Sequence, residues 1–336
     1  MSGPTQQKGF VLALTLWVLA AMALTIGAFS DQSQATLRLA KAAQKRVQAQ
    51  IDIAQTQAEI LYRLSTTPMS AYGLGPKPPH VISLDDRPYQ GEGQDIVTLQ
   101  DDRGLVNLNR STEDQIARLL GALGVPGNER PHLIDTLKDY TDADDLRRLN
   151  GAERREYLDA EYLPPRNDDL LIPAEAHNIL GWRDYPGLWS PPGLPELTST
   201  TTSPGLNPNT ASPLIISALM GVPLDIAQNM TRQKEQTPYL SSPQLAIDLG
   251  VESQSLMLSV IPFPSDSIRI THHIPGQSWV LRYNVSLTGN AKDKPWRVNY
   301  LTLLERRQDH ATTTPPALLP DKTAIPQDTG NPFFPF

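Results

Sequence analysis

The chain has 336 residues, a net charge of −7 at pH 7 and no cysteine. This length is enough for about two domains, each with its own hydrophobic core. The acidic balance argues against a general nucleic-acid-binding protein, which needs a basic face toward phosphate, and the lack of cysteine excludes disulfides, thiolate nucleophiles and Cys-ligated zinc.

The first predicted element is an apolar helix that follows a short polar leader. Residues 10–29 carry no charged side chain. A helix of about 20 residues spans roughly 30 Å, the thickness of the hydrocarbon core of a bilayer. The run is longer than the apolar part of a cleaved secretory signal, and its nearest small-x-small tripeptide, 21–23, lies inside it. A single-pass membrane anchor is the simplest interpretation.

Helical sequence continues beyond the apolar run. Residues 31–64 contain neither Pro nor Gly, and good helix formers dominate them. An apolar stripe with spacings of 4 and 3 is predicted at Val47, Ile51, Ala54, Ala58 and Leu61. We therefore predict one helix over 10–64, anchored in the membrane at one end and packed against a domain at the other.

Short strands and then helices follow. The segment "DIVTLQDDRGLVNLN" (95–109) predicts two short strands around a turn. A capping sequence at 111–114 predicts a helix, whose apolar stripe is formed by Ile116, Leu119, Leu120 and Leu123. A second helix is predicted at about 130–140, and helical pieces recur to about 182.

The last third of the chain changes period. A Pro/Ser/Thr-rich stretch, 183–205, reads as an exposed linker. Short helices follow, and then "SIRITHH", "SWVLRYNVSLT" and "WRVNYLTLLERR" predict an antiparallel meander. His272 and His273, as neighbours in a strand, point to opposite faces and do not readily share a metal. The tail, 308–336, is predicted to be disordered, at least in part.

Three passages resemble a known family. The sequence Lys8-Gly9-Phe10 before the long helix resembles the N-terminus of type IV pilins and type II secretion pseudopilins. The passages "DYTDADDLRRLNGAERREYLDAEYLPPRND" (139–168) and "LNPNTASPLIISALMGV" (206–222) resemble the K-type minor pseudopilins of type II secretion, the GspK family.

The resemblance implies an α+β fold in which a pilin-like long N-terminal helix packs on an antiparallel β-sheet, with a large all-α domain inserted between strands. The expected parts are a leader (1–9), the helix (10–64), the first part of the α/β domain (65–108), the inserted helical domain (109–262, with the linker 183–205), the returning strands (263–307) and the tail (308–336).

The resemblance also implies processing of the N-terminus. In the family, a prepilin peptidase cuts after the Gly and methylates the new N-terminal residue, so cleavage is expected between Gly9 and Phe10. Leu14 then stands at the fifth mature position, where pilins normally have Glu. K-type subunits also lack that Glu, and we interpret Leu14 as a signal for a position at the filament tip.

An acidic loop offers oxygen ligands for calcium. Calcium prefers six to eight oxygen ligands, but the spacing here is not that of an EF-hand, and a solvated acidic loop is the alternative. The family's aspartate-rich segment before Gly-Ala-Glu is associated with calcium, and the resemblance favours a structural ion. The candidate ligands are Asp142, Asp144 and Glu153, followed by Asp139 and Asp145.

A second motif permits a different function. The passage from Leu206 to Val222 also resembles a helix-hairpin-helix, which binds DNA phosphates through backbone amides. Pro223 removes one such amide, so a packing module is the favoured interpretation. The alternative is a membrane-anchored periplasmic binding module that holds DNA through this segment. The chain has no Gly-rich phosphate loop, nucleophile elbow or His-Glu-x-x-His motif, and we predict that it is not an enzyme.

The function implied by the resemblance is that of a minor pseudopilin. It would cap the pseudopilus, help to start its assembly, and serve the export of folded proteins across the outer membrane. The implied partners are the I- and J-type minor pseudopilins, the prepilin peptidase, the inner-membrane secretion platform and, before assembly, membrane lipid; nucleic acid is not expected. The expected location is the inner membrane of a Gram-negative bacterium, with one span and the bulk of the chain in the periplasm.

Overall fold

The structure is a computed structural model that describes residues 8–201, 203–249, 260–289, 291, 293–305 and 315–320. The chain divides into one unit that ends at Ala54 and a second that begins at Gln55. The predicted leader, 1–9, lies almost entirely outside the described residues.

Helix α1 runs from Lys8 to Thr66, which confirms the long N-terminal helix predicted over 10–64. Its first part makes up the first unit. The large apolar side chains between Phe10 and Phe29 are all exposed there. Within the described residues this is the one helix long and apolar enough to cross a membrane, judged by length and composition. An exposed apolar surface of this length fits a membrane anchor.

The predicted apolar stripe on α1 is wrong at four of its five positions, and only Leu61 is partly buried and packs against the sheet core. Val47 is 55% exposed and Ile51 is 45% exposed, and Ala54 and Ala58 are exposed as well. In the second unit the buried face is formed instead by Thr56, Ile60, Arg63 and Leu64. Hydropathy alone selects the wrong face because the buried one includes a threonine and an arginine whose polar atoms have partners inside the protein.

The described strands all belong to the second unit. In chain order they are β1 (Met69–Ser70), β2 (Gly73–Leu74), β3 (Asp85–Gln90), β4 (Ile96–Asp101), β5 (Val106–Asn107), β6 (Thr198–Ser199), β7 (Ser267–His273), β8 (Trp279–Leu287), β9 (Trp296–Glu305) and β10 (Ala317–Leu318).

Six of these strands form the main sheet, in the order β10-β3-β4-β7-β8-β9. All neighbours are antiparallel except β10 and β3. The predicted meander is therefore confirmed as β7–β8–β9. One face of the sheet packs with α1 in a core that includes Ile60, Val97, Leu99, Ile270 and Tyr283.

A helical insert occupies the chain between β4 and β7. Its helices are α2 (Glu113–Ala122), α3 (Arg130–Thr141), α4 (Arg154–Asp159), α5 (Leu194–Leu197), α6 (Pro213–Met220), α7 (Leu224–Gln236) and α8 (Ser242–Leu249). It has its own core, with Trp182 fully buried and its Nε1 donating to the carbonyl of Leu133 at 3.1 Å. The predicted α+β fold, a long N-terminal helix with a largely antiparallel sheet, is thus confirmed, and the insert is mainly helical but also contains the short strands β5 and β6.

Helix α2 begins as the sequence predicts. Thr112 is its N-cap and forms a capping box with Gln115. Ile116, Leu119 and Leu120 are fully buried, while Leu123 at the C-cap is half-buried. The expected strands on either side of the 101–104 turn are β4 and β5, but they belong to different sheets, since β5 pairs with β6.

The stretch at 183–205 is not an exposed linker. It contains α5 and β6, and Leu188 and Leu194 are fully buried. Arg269 and Arg282, from the main sheet, donate to the carbonyl of Pro195 at 3.1 and 2.7 Å. The Pro/Ser/Thr-rich composition led to the wrong prediction. The prolines and hydroxyl residues of this stretch form short turns whose polar groups bond to other protein groups instead of to water.

Part of the predicted disordered tail is ordered. Within 308–336, residues 315–320 are described, and they place β10 beside β3. The carbonyl of Pro320 accepts a hydrogen bond from Arg63 Nη2 at 2.7 Å. Backbone pairing, the hydrogen bond from Arg63 and the packing of Leu319 against the sheet core thus hold this segment.

Candidate functional site

The acidic loop joins α3 to α4, and its first member is fixed by the backbone. Asp139 lies in the last turn of α3, is fully buried, and accepts from the Arg148 backbone N–H at 3.1 and 3.3 Å. A Cβ atom at Gly151 would lie 1.9 Å from Asp139 Oδ2. Only glycine therefore lets the loop close over this carboxylate.

Three residues around the loop have buried oxygens without a hydrogen-bond partner. They are Asp142 (Oδ1), Glu153 (both carboxylate oxygens) and Asn167 (Oδ1). Burial of such oxygens costs free energy unless a proton, a water molecule or a cation satisfies them. Asp142 and Glu153 belong to the predicted ligand set.

Asn167 was missed by the sequence analysis. Its Nδ2 donates to the carbonyl of Asp144 at 2.9 Å and to Asp145 Oδ1 at 3.0 Å. The backbone of Asn167 has a φ of 52°, a left-handed conformation that asparagine tolerates better than most residues. Its place at the end of the 139–168 passage was the available signal, but spacing alone does not bring it back to the loop.

The clustered carboxylates of the acidic loop and Glu153 favour the binding of a cation. The pKa of Glu153 is raised to about 7, first by burial and then by repulsion from the carboxylates of Asp139, Asp142, Asp145 and Asp144. Burial also raises the pKa of Asp139 and of Asp142, with repulsion from neighbouring aspartates acting in the same direction. Each shift shows that the surroundings oppose a bare negative charge.

These residues fit a hard cation in chemistry, although they do not form a closed ligand shell. Among the described residues, no group of three or more His, Cys, Asp or Glu side chains is arranged to hold a metal ion. The unpartnered oxygens are carboxylate and amide oxygens, the ligands calcium prefers. Asp144 and Asp145 are exposed. Asp144 accepts a hydrogen bond from the backbone N–H of Leu146, and Asp145 accepts one from Asn167 Nδ2. An ion bound here requires the loop to tighten.

The second motif, "LNPNTA", lies at the junction of the insert and the sheet. Asp101, at the end of β4, is fully buried; its Oδ2 accepts from Asn207 Nδ2 and Thr210 Oγ1, both at 2.9 Å. Its Oδ1 accepts from the backbone N–H of Ser265 at 2.8 Å and from its Oγ at 2.7 Å. Asn207 and Thr210 therefore fix the packing of this segment against β4, which supports the packing module over the DNA hairpin.

The histidine pair also has a packing role. His272 is fully buried, with Nδ1 2.7 Å from Asp95 Oδ2 and Nε2 3.2 Å from the Tyr283 hydroxyl. His273 is only half-buried. Alternation along β7 separates the two rings, as predicted.

The N-terminal candidates lie on the first turns of α1. Phe10 is 75% exposed and Leu14 is 53% exposed. They share the uncharged, exposed surface that continues to Phe29.

Part of the chain is similar to a known protein family. Residues 95–183 match the family model described as type II secretion system (T2SS), protein K. The matched region holds β4, α2–α4 and every residue of the acidic cluster.

A solved structure has a similar fold. A chain in the crystal structure of the GspK-GspI-GspJ complex from the enterotoxigenic Escherichia coli type 2 secretion system is 18% identical, with a TM-score of 0.58, and the match covers 79% of the present chain and 99% of that chain. No curated protein sequence matches significantly. A protein K domain at 95–183, within a GspK-like fold, confirms the resemblance to the K-type minor pseudopilins of type II secretion.

Proposed function

We propose that this protein is the minor pseudopilin that caps the tip of a type II secretion pseudopilus and helps to start its assembly. The observation that carries the proposal is the protein K domain at 95–183, set within a fold shared with a chain of the GspK-GspI-GspJ complex. The I- and J-type minor pseudopilins are the proposed partners. Export of folded proteins across the outer membrane is the proposed outcome.

The anchor and the insert fit this role physically. The uncharged surface from Phe10 to Phe29 holds the subunit in the inner membrane before assembly and then packs against neighbouring helices in the filament. The insert enlarges the periplasmic part well beyond the sheet. A bulky subunit is poorly suited to the interior of a filament and well suited to its end.

Calcium is a further part of the proposal. Asp142, Glu153 and Asn167 would supply the first oxygen ligands. The remaining ligands would come from the neighbouring carboxylates of Asp139, Asp144 and Asp145, once the loop tightens around the ion. The ion would neutralise the clustered carboxylates and fix the loop between α3 and α4. Its role is structural, and no catalytic step is proposed.

The function is tested by deleting the gene and measuring extracellular protein. We expect secreted proteins to accumulate in the periplasm and to return to the medium when the full chain is supplied in trans. A periplasmic marker enzyme that stays inside the cells controls for lysis. Unchanged secretion in the deletion strain, with the I- and J-type subunits intact, would refute the proposal.

A further inference from the structure

A cavity in the helical insert carries two arginines that the proposed function does not use. It has a volume of about 420 Å³ and lies between α2, α6, the first residue of α3 and the turn before α7. Arg118 and Arg130 line it, together with Gly121, Gly221 and Pro223. The volume lies within the range of about 300–1,000 Å³ that is typical of ligand sites.

Both guanidinium groups are held in place by the backbone. Arg118 Nε donates to the carbonyl of Ala218 at 2.6 Å, and Arg130 Nε donates to the carbonyl of Val125 at 2.9 Å. The Arg130 guanidinium also lies against Gly121, where a Cβ atom would come within 2.7 Å of it. Because these contacts fix the side chains, little conformational entropy is lost when an anion binds.

The two arginines differ in what remains free. Arg118 Nη1 pairs with Asp114 on the preceding turn of α2. The Nη atoms of Arg130 have no acceptor within the described part of the chain. An anchored guanidinium with a free pair of N–H donors matches the two oxygens of a carboxylate.

We propose that this cavity binds the carboxylate of an acidic side chain from a protein partner. Its walls include Ala122, Ala218 and Val222, which suit the methylene groups of such a side chain. Asp114 pairs with Arg118 at the cavity, and the whole chain is acidic. These negative charges penalise a doubly charged phosphate more than a carboxylate, and a nucleic acid needs several basic contacts in a row. The exposure of Ala122, Gly221 and Pro223 leaves the rim open to a second protein.

The site is tested by arginine labelling of the full chain in detergent. The probes are N-acetyl-glutamate amide, its neutral partner N-acetyl-glutamine amide, and inorganic phosphate at equal ionic strength. The rate at which phenylglyoxal modifies each arginine is followed by mass spectrometry. A probe at about twice its Kd occupies about two-thirds of the sites, so the glutamate probe is expected to slow labelling of Arg130 about threefold. Arg155, whose side chain is 87% exposed on α4, is the control and should not change.

A pair of glycine variants separates the site from general effects. Gly121→Ala places a methyl group against the Arg130 guanidinium and should abolish protection by the glutamate probe while preserving the charge. Gly127→Ala, which has nothing within 4 Å of its Cβ, should preserve protection. Melting curves of both variants confirm that they are folded.

The proposal is overturned by any of three results: Arg130 protected no more than Arg155, the glutamine probe or phosphate protecting as strongly as the glutamate probe, or Gly121→Ala retaining full protection. None of these outcomes depends on secretion, so the site and the proposed function can fail separately.

Discussion

Glu153 is a residue whose ionisation links stability to pH. Its pKa in the folded, calcium-free protein is about 7, above the ordinary value of 4.5, because it is buried among carboxylates. Between these two values the folded state holds a proton that the unfolded state has released. Stability therefore falls as the pH rises from about 4.5 to 7 and is lowest above 7.

The expected size of this effect is roughly 3–4 kcal/mol at most, and neighbouring carboxylates share it. Glu153→Gln should stabilise the calcium-free protein at pH 8 and flatten the pH dependence, as measured by chemical denaturation with chelator present. Glu161→Gln, at an exposed position, is the matched control. A pH dependence identical in the wild type and in Glu153→Gln would contradict the assignment.

Calcium should reverse this penalty. An ion that binds only the folded state adds about 2.7 kcal/mol at a hundredfold excess over its Kd. The full chain should therefore melt several degrees higher with calcium than with chelator. Asp142→Asn should reduce the difference, and Asp159→Asn, whose side chain is 74% exposed, should not. Equal melting temperatures with calcium and chelator in the wild-type protein would mean that the loop is only a solvated acidic turn.

Proteolytic cleavage of the N-terminus depends on the single residue Gly9. Cleavage should fall between Gly9 and Phe10, which mass spectrometry of the membrane-bound protein can read directly. Gly9→Glu should leave the uncut precursor, because it replaces the glycine after which the peptidase is expected to cut. A mature N-terminus near Ser30 would instead indicate an ordinary removed signal peptide and would remove the basis for a filament subunit.

Among the elements, β4 and the "LNPNTA" segment are joined by one carboxylate. Asp101 accepts hydrogen bonds from Asn207, Thr210 and Ser265. Asp101→Ala would leave several buried donors unsatisfied, each worth about 1–3 kcal/mol, so we expect a loss of at least about 3 kcal/mol in unfolding free energy. Asp114→Ala, at a position with 77% side-chain exposure, should cost far less. A small loss for Asp101→Ala in denaturant melts would mean that this junction contributes little.

The elements that were predicted well are those whose signal is local. The long helix, the capped start of α2 and the strands β7–β9 follow from composition, capping and alternation, which act over a few residues. The errors concern partners distant in sequence. The buried face of α1 depends on polar contacts made by Thr56 and Arg63, and the 183–205 stretch is held by Arg269 and Arg282 from β7 and β8.

In the candidate site, too, the features set by local sequence were predicted and those set by distant contacts were not. Residue types and the family passage were enough to select the acidic loop, and Asp142 and Glu153 were among the residues chosen. The place of Asn167 depends on how the chain returns after α4, and the fit of Gly151 against Asp139 depends on how the loop before α4 folds back onto α3. Such a return is fixed by packing, which spacing does not encode.

At the scale of the whole molecule, we propose that Leu14 marks the subunit's place at the filament tip. In a pilin-like filament each new subunit enters from the membrane, below those already assembled. A Glu at the fifth mature position can pair with the amino terminus of the subunit above. A carboxylate without that partner costs several kcal/mol in an apolar core, or must take up a proton. The top subunit has no neighbour above it, so a leucine avoids the penalty there.

This reasoning predicts the behaviour of Leu14→Glu. The variant should bring no gain in secretion and should impair it modestly, because it makes internal positions in the filament more accessible to the subunit. The bulk of the insert still opposes burial in the shaft, which limits the effect. Leu16→Glu places the same charge on α1 two residues away, at a similarly exposed position, and controls for a general defect in the membrane span. Immunogold labelling of overproduced filaments is the measurement. Wild-type protein should be found only at filament ends and Leu14→Glu should also appear along the shaft, whereas wild-type label distributed along the shaft would refute the tip position.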